Sequence, residues 1–120
     1  MNGRRSHVSN WIERYIQAWG SNDPEQIGAL FTTDAVYYTE PYSPPRKGRE
    51  AIVRGWIEGK DEPGTWNFSY EVLGVTGKLG FVKGKTDYSS PPRLYHNLWV
   101  IALDEKGACR EFTEWFMKER

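Results

Sequence analysis

The sequence has little cysteine and little histidine, which limits the sites it can build. Its single cysteine, Cys109, has no second thiol with which to form an internal disulfide bond. This fits a reducing compartment, and a cytoplasmic location is expected. The two histidines, His7 and His96, lie far apart in the sequence. Because structural and catalytic zinc sites need three or four clustered ligands, no metal site is predicted.

Long apolar runs and an excess of one charge are also missing. No stretch approaches the ~20 apolar residues of a membrane-spanning helix, and the charged start lacks the apolar run of a secretory signal. We therefore expect no membrane partner. Lys and Arg number 16, as do Asp and Glu, and the basic residues are scattered. Nucleic acid is not an expected partner, because binding it needs a concentrated positive surface.

Aromatic residues are abundant instead: six Trp, seven Tyr and five Phe in 120 residues. This length corresponds to one domain, over residues 1–120, and is enough to bury an apolar core. Residues 1–6 are expected to form a flexible tail. Rings often line concave ligand sites, but they also fill cores and dimer interfaces, and composition leaves both interpretations open.

Periodicity predicts three helices in the first half of the chain. Apolar residues at helical spacing indicate a first helix over about residues 9–19. Asp23 and Pro24 are typical of an N-cap and a first helical position, and Gln26 completes a capping-box pattern. They begin a short second helix. A third helix is predicted over residues 49–58.

The second half changes to a period of two, which predicts strands joined by hairpin turns. The predicted strands span about residues 66–75, 79–88, 94–103 and 108–117, after a short strand over residues 35–39. Helices followed by hairpin-linked strands are typical of an α+β domain, with helices packed on one face of an antiparallel sheet.

The order of these elements resembles the NTF2-like superfamily, which includes SnoaL-like polyketide cyclases, ketosteroid isomerases and limonene epoxide hydrolases. The segments that resemble the ketosteroid isomerases are Arg14-Tyr15-Ile16, Asp23, Ile27–Phe31, Asp34-Ala35 and, with a shift of about one residue, Glu40–Ile52. The final run, Leu98–Trp115, looks like SnoaL-like sequences. The resemblance implies a cone: three N-terminal helices on a strongly curved, mostly antiparallel sheet, around a pocket for a small, largely apolar molecule.

The resemblance also implies roles for three residues. Tyr15 stands where ketosteroid isomerases have a tyrosine that donates to a developing oxyanion, although it also fits the apolar stripe of its helix. Glu40 stands near their proton-shuttling aspartate, where an apolar pocket would raise its pKa; the alternative is a solvated carboxylate. Trp99 stands at their second, acidic donor. An indole N–H can donate a hydrogen bond but cannot act as an acid, so Trp99 is expected to line the pocket as a ring.

A third candidate acid lies on the last strand. Period two places Phe112, Glu114 and Phe116 on one face, and the resemblance makes this the concave face. SnoaL-like cyclases are similar in using a pocket acid late in the chain. Burial would raise the pKa of Glu114, unless a cation neutralises it or it lies on the other face. His96 is expected on the outer face. The further expected pocket walls are Trp19, Tyr38 and Trp56.

These residues lead to three functional hypotheses. The first is binding of a small apolar carbonyl compound, with isomerisation or cyclisation by cofactor-free proton transfer. The second is a noncatalytic ligand-binding or dimerising module. The third, an epoxide hydrolase, needs an Asp–Arg–Asp set, and the arginines at 46, 49 and 54 lie outside the strands where its arginine is expected. By parity, Leu98, Trp115 and Met117 make the outer face apolar, which predicts a homodimer.

Overall fold

A computed structural model of the chain describes the backbone of residues 3–120 and the side chains of residues 7–120. The elements are α1 (Gly3–Ser21), α2 (Pro24–Ala29), β1 (Phe31–Tyr38), β2 (Arg46–Lys47), α3 (Arg49–Glu58), β3 (Trp66–Thr76), β4 (Leu79–Ser89), β5 (Pro92–Leu103) and β6 (Cys109–Lys118). No helix in this part of the chain is both long and apolar enough to span a membrane. Of the tail predicted over residues 1–6, the first two residues lie outside the described ones, and the backbone of residues 3–6 belongs to α1.

The six strands form one sheet in the order β2-β1-β6-β5-β4-β3. The β1–β6 pair is parallel, and the other neighbouring strands are antiparallel. The register shifts where β3 has an extra residue between Val72 and Gly74, and where β6 has an extra residue opposite Ala102 and Leu103 of β5. Bulges of this kind bend a sheet. The α+β class and the mostly antiparallel sheet are therefore as predicted, and the helices cover the concave face.

Local signals explain the boundaries that the sequence predicted well. Asp23 caps α2 by accepting a hydrogen bond from the Glu25 N–H at 3.0 Å, and Pro24 is the first helical residue. The capping box was wrong in detail. The Asp23 N–H donates to Ser21 Oγ at 3.1 Å, and that hydroxyl donates to Gln26 Oε1 at 2.6 Å. Gln26 thus supports the cap through Ser21 instead of reaching it directly.

Three features of the first half differ from the prediction. Helix α1 spans Gly3–Ser21, whereas the prediction was about residues 9–19. Strand β1 begins at Phe31 and not near Ala35, because the chain leaves α2 directly into the sheet beside β6. The two-residue strand β2 was not predicted, since it follows a Pro-rich segment and pairs Arg46 with Tyr37 of β1. The third helix has the predicted bounds.

The core consists largely of rings between α1 and the sheet. Trp11, Trp99 and Phe112 are fully buried. The Tyr15 ring centroid lies 4.7 Å from that of Trp99, and Phe68 stacks on Trp99 at 4.9 Å. Aromatic pairs of this kind contribute about 0.5–1.5 kcal/mol beyond the burial of their area. Much of the aromatic content therefore serves packing.

The parallel junction between β1 and β6 holds the single cysteine. Cys109 lies opposite Phe31, and its N–H donates to the Leu30 carbonyl at 2.7 Å. Its side chain is fully buried, and burial raises the pKa of the thiol to about 12. The first and last strands are thus joined at a site that solvent does not reach.

Candidate functional site

A cavity of about 350 Å³ lies between the helices and the concave face of the sheet. This volume is at the small end of the range for ligand pockets. Seven rings of the cavity wall come from six different elements: Tyr15 and Trp19 of α1, Tyr37 of β1, Trp56 of α3, Tyr88 of β4, Tyr95 of β5 and Phe116 of β6. The cavity is therefore built from the whole fold and not from one loop.

A chain of hydrogen bonds connects two of these phenols to a carboxyl group. The Tyr37 hydroxyl donates to Glu114 Oε1 at 2.5 Å, and the hydroxyls of Tyr15 and Tyr37 are 3.3 Å apart. Both tyrosines are buried, while Glu114 is partly accessible from the cavity. Glu114 also lies directly opposite Trp99 in the β5–β6 register. Parity had predicted this inward direction of Glu114.

Burial controls the protonation of this chain. It raises the pKa of Glu114 above its ordinary 4.5, although the hydrogen bond from Tyr37 opposes this effect. Burial, followed by the charge of Glu114, raises the pKa of both Tyr15 and Tyr37 well above 10. Both phenols therefore keep their protons at neutral pH. Glu114 is the one of these three groups whose pKa burial moves toward neutral pH.

The buried indole N–H of Trp99 has no acceptor that meets hydrogen-bond geometry among the described residues. It lies close enough to Glu114 for its N–H dipole to lower the pKa of that carboxyl group. Trp99 therefore affects the pKa of Glu114 without contacting a ligand, since its ring is fully buried and does not line the cavity.

A second carboxyl group, Asp61, reaches the cavity from the loop after α3. Its Oδ2 accepts hydrogen bonds from Trp19 Nε1 and from the Tyr88 hydroxyl, both at 3.0 Å. Its backbone carbonyl accepts a hydrogen bond from Asn22 Nδ2 at 2.9 Å. These contacts attach the loop to the end of α1. The sequence analysis missed Asp61, because a polar loop has no periodicity that assigns a direction to its side chains.

Cations also line the cavity, so its wall is more polar than expected. The Arg46 guanidinium carbon lies 5.4 Å from the Tyr37 ring centroid, and that of Arg93 lies 4.1 Å from the Tyr88 ring centroid. Lys60 is a third lining cation. Arg46 lies in β2, a two-residue strand that the sequence did not predict.

The structure brings together most, but not all, of the residues singled out from the sequence. The predicted residues that line the cavity are Tyr15, Trp19, Trp56, Glu114 and Phe116. Phe112, like Trp99, is fully buried behind them. Four predictions are corrected: Trp99 and Phe112 lie behind the cavity wall, and Tyr38 and Glu40 do not line the cavity.

Glu40 and Tyr38 miss the cavity for different reasons. Glu40 accepts hydrogen bonds from Tyr42 Oη and Ser43 Oγ, both at 2.7 Å. These bonds hold its pKa below the ordinary value, the opposite of the expected shift. Tyr38 alternates with Tyr37 along β1, and it is Tyr37 that is buried on the cavity side. The same period-two rule, started from the buried Ala35, would have selected Tyr37.

The outer face of the sheet carries the other predicted groups. A second cavity of about 490 Å³ there is lined by His96, Leu98, Trp115 and Met117, among others. Leu98 is 44%, Trp115 42% and Met117 72% exposed. His96 Nε2 lies 2.7 Å from Glu119 Oε1. Across residues 7–120, no three Cys, His, Asp or Glu side chains cluster as metal ligands would.

Comparison with known proteins gives a family and a fold. The family model described as a SnoaL-like domain matches residues 12–117. None of the curated proteins matches the sequence. Among solved structures, an NTF-2 like protein of unknown function from Burkholderia xenovorans LB400 has a TM-score of 0.78 and 14% identity, covering 99% of this chain and 89% of that one.

Two further solved structures are similar in fold. A putative ketosteroid isomerase from Kribbella flavida DSM 17836 has a TM-score of 0.73 and 16% identity, covering 96% of this chain and 81% of that one. An LEH-like epoxide hydrolase of M. tuberculosis has a TM-score of 0.66 and 16% identity, covering 93% and 84%. At such identities the likeness extends to the fold, and activity has to be argued from the site.

Proposed function

Because this chain belongs to the family of SnoaL-like domains, we propose that its cavity binds a small carbonyl-containing molecule and that Glu114 transfers a proton on it without a cofactor. The observation that carries the proposal is the hydrogen-bonded chain from Tyr15 through Tyr37 to Glu114. It combines one group that can exchange a proton with two phenols that can only donate hydrogen bonds at neutral pH.

Glu114 has the properties of a general base for carbon acids. Burial brings its pKa closer to neutrality than that of a solvated glutamate, and proton transfer is most effective when the pKa of the base lies near the operating pH. As Glu114 takes the proton from the carbon next to a carbonyl, the C–H electron pair moves into the new C=C bond. The carbonyl oxygen then becomes an enolate oxygen, which needs a hydrogen-bond donor.

The two tyrosines supply that donor, because the direction in which their hydroxyls donate hydrogen bonds depends on the protonation of Glu114. While Glu114 is ionised, Tyr37 donates its only proton to Oε1, and Tyr15 donates to Tyr37. Once Glu114 is protonated, its own O–H donates to Tyr37. Since each hydroxyl has one proton, the Tyr37 and Tyr15 protons are then free to point elsewhere. Formation of the enolate and release of a phenol donor are therefore the same event. Returning the proton to a different carbon completes an isomerisation.

The same family and fold also support a noncatalytic ligand-binding module, the alternative already weighed from the sequence. In that role the rings and polar groups of the cavity hold a ligand while Glu114 only satisfies Tyr37. The lone buried thiol of Cys109 fits work in a reducing compartment such as the cytoplasm under either role. We further propose that the chain forms a homodimer through the outer face around Trp115, because exposed apolar surface of this kind marks interaction sites.

Exchange of carbon-bound hydrogen separates catalysis from binding. The probe is 2-tetralone in D₂O, whose loss of the proton signal next to the carbonyl is followed by NMR. We expect the wild type to accelerate exchange, and Glu114→Gln to lose about 10²–10⁴-fold of that acceleration, as for removal of a general base. Binding of 2-tetralone, followed by tryptophan fluorescence, should change far less. Glu111→Gln, on the opposite face of β6, is the matched control.

Two results would contradict the proposal. Exchange at the same rate in wild type and Glu114→Gln would remove Glu114 from the chemistry. Binding of 2-tetralone without any acceleration of exchange by the wild type would leave the noncatalytic module as the better description.

A further inference from the structure

The side chain of Arg46 lies in a space that Gly55 of α3 leaves open. A Cβ atom added at Gly55 would lie 2.6 Å from Arg46 Nε and 2.9 Å from its Cζ. Glycine in a helix interior is less favourable than alanine, and here it permits the close approach of the arginine. Gly55 itself lines the cavity. The helix therefore leaves room for the Arg46 side chain at the edge of the ligand site.

Burial raises the pKa of Glu114 and the positive charge of Arg46 lowers it, but no carboxylate among the described side chains forms an ion pair with the Arg46 guanidinium. Within residues 7–120 the guanidinium takes part in neither an ion pair nor a hydrogen bond, and it lies over the face of the Tyr37 ring. A guanidinium presents five N–H donors in a planar fork. These donors are available to a ligand, because Arg46 lines the cavity and is exposed.

The other charges around the cavity favour an anionic ligand. The lining cations are Arg46, Lys60 and Arg93, and the lining carboxyl groups are Asp61 and Glu114. Asp61 already accepts two hydrogen bonds on one oxygen, from Trp19 and Tyr88. Glu114 lies deeper and is held by Tyr37. The lining cations thus outnumber the lining carboxyl groups by three to two, and one of these cations, Arg46, forms neither an ion pair nor a hydrogen bond with residues 7–120.

We propose that the ligand carries a carboxylate, which binds Arg46 over Gly55 at the edge of the cavity. The arginine fork matches a carboxylate in a bidentate way. Tyr37 sets the geometry of the rest of the molecule, because its ring faces Arg46 and its hydroxyl binds Glu114. A small keto acid would place its carboxylate at Arg46 and its reactive carbon at Glu114, on opposite sides of the Tyr37 ring. The natural ligand class is therefore an oxo acid, and a neutral ketone such as 2-tetralone reproduces only its carbonyl end.

This inference rests on the proposed function for the carbonyl half of the ligand, but its test needs binding alone. The probes are 3-phenylpropanoate and 3-phenylpropanamide, which differ in one charge, titrated calorimetrically at neutral pH. The wild type is expected to bind the carboxylate about tenfold more tightly than the amide, as for a charge-assisted hydrogen bond. Arg46→Gln should bind both about equally.

Gly55→Ala tests the position of Arg46 without changing any charge. The added methyl group displaces the arginine, so we expect most of the carboxylate preference to disappear. The thermal midpoint should stay at or above that of the wild type, because alanine favours the helix. Arg54→Gln is the matched control: it removes an exposed arginine from the same helix that does not line the cavity, and should keep the preference.

Each outcome of these binding measurements either supports or contradicts a carboxylate site at Arg46. Equal wild-type affinity for the two probes, no carboxylate binding at millimolar concentration, or a preference that survives in Arg46→Gln would overturn the proposal. If Gly55→Ala does not fold, Arg46→Gln gives the decision. Glu114→Gln should retain the preference, so a wild type that prefers the carboxylate yet exchanges no protons would contradict only the catalytic proposal.

Discussion

Tyr37 and Glu114 are 77 positions apart in the sequence, and a hydrogen bond of 2.5 Å joins their side chains. The parallel pairing of β1 with β6 places Tyr37 opposite Phe112, and Glu114 follows two residues later on the same face. The link between the phenols and the acid is therefore a diagonal cross-strand pair. It depends on the register of the first strand against the last.

Removal of the Tyr37 hydroxyl should uncouple the two ends of this chain. In Tyr37→Phe we expect the pKa of Glu114 to rise further, because the lost hydrogen bond is one of the causes that lower it. Carbon-13 NMR of labelled glutamate measures this pKa, and Tyr38→Phe, on the other face of β1, is the control. An unchanged titration of Glu114 in Tyr37→Phe would contradict the role of Tyr37.

Stability should depend on pH through Glu114, with a defined sign. The folded pKa is raised above 4.5, so protonated Glu114 contributes stability fully below that pH, and the contribution is lost as pH rises through the folded pKa. Urea unfolding of wild type and Glu114→Gln should give a free-energy difference that is flat in acid and then shifts toward the variant with rising pH. A difference that stays constant from about pH 4 to about pH 8 would show an unshifted Glu114.

Gly84→Ala tests the packing of the ring stack behind the cavity. A Cβ atom at Gly84 would lie 2.7 Å from two carbons of the Phe68 ring, and that ring stacks on Trp99. We expect a loss of about 1–3 kcal/mol in the free energy of unfolding, as for other overpacked cores. Gly74→Ala in β3 meets no atom within 4 Å and should change stability much less. Equal effects of the two variants would argue against tight packing at Phe68.

The proposed homodimer predicts a concentration-dependent mass that Trp115→Lys should change. Tryptophan is typical of interface hot spots, so the dimer dissociation constant should increase at least about tenfold. Sedimentation velocity measures it. Tyr42→Lys replaces a ring that is 82% exposed and lies in the segment between β1 and β2, and should leave association unchanged. A wild type that stays monomeric at high micromolar concentration would contradict the interface.

The sequence predicted best the parts of this fold that repeat. The period of two along β5 and β6 placed Trp99, Phe112 and Glu114 correctly, because adjacent side chains on a strand must alternate between faces. The sequence was less informative on β1, where an error of one residue moves a side chain to the other face of the sheet and exchanges Tyr37 for Tyr38.

Side chains outside regular repeats could not be placed from the sequence. Arg46 follows a proline and reaches the cavity only because β2 pairs with β1. Asp61 reaches it because Trp19 and Tyr88, distant in the chain, bind its carboxylate. Glu40 was expected in the pocket because it resembles a family position, but the match to the ketosteroid isomerases is shifted by about one residue in that segment. Such positions depend on tertiary contacts that local spacing does not encode.

Cys109 gives this protein an internal chemical reporter. Its thiol is buried at the junction of β1 and β6, and with a pKa of about 12 it is almost never ionised in the folded state. A thiol-reactive dye can therefore modify it only when the last strand separates from the first. A ligand held between Tyr37 of β1 and Glu114 of β6 stabilises that junction and should slow the modification in proportion to occupancy. The labelling rate thus provides a screen for the natural ligand that assumes neither a substrate nor a reaction.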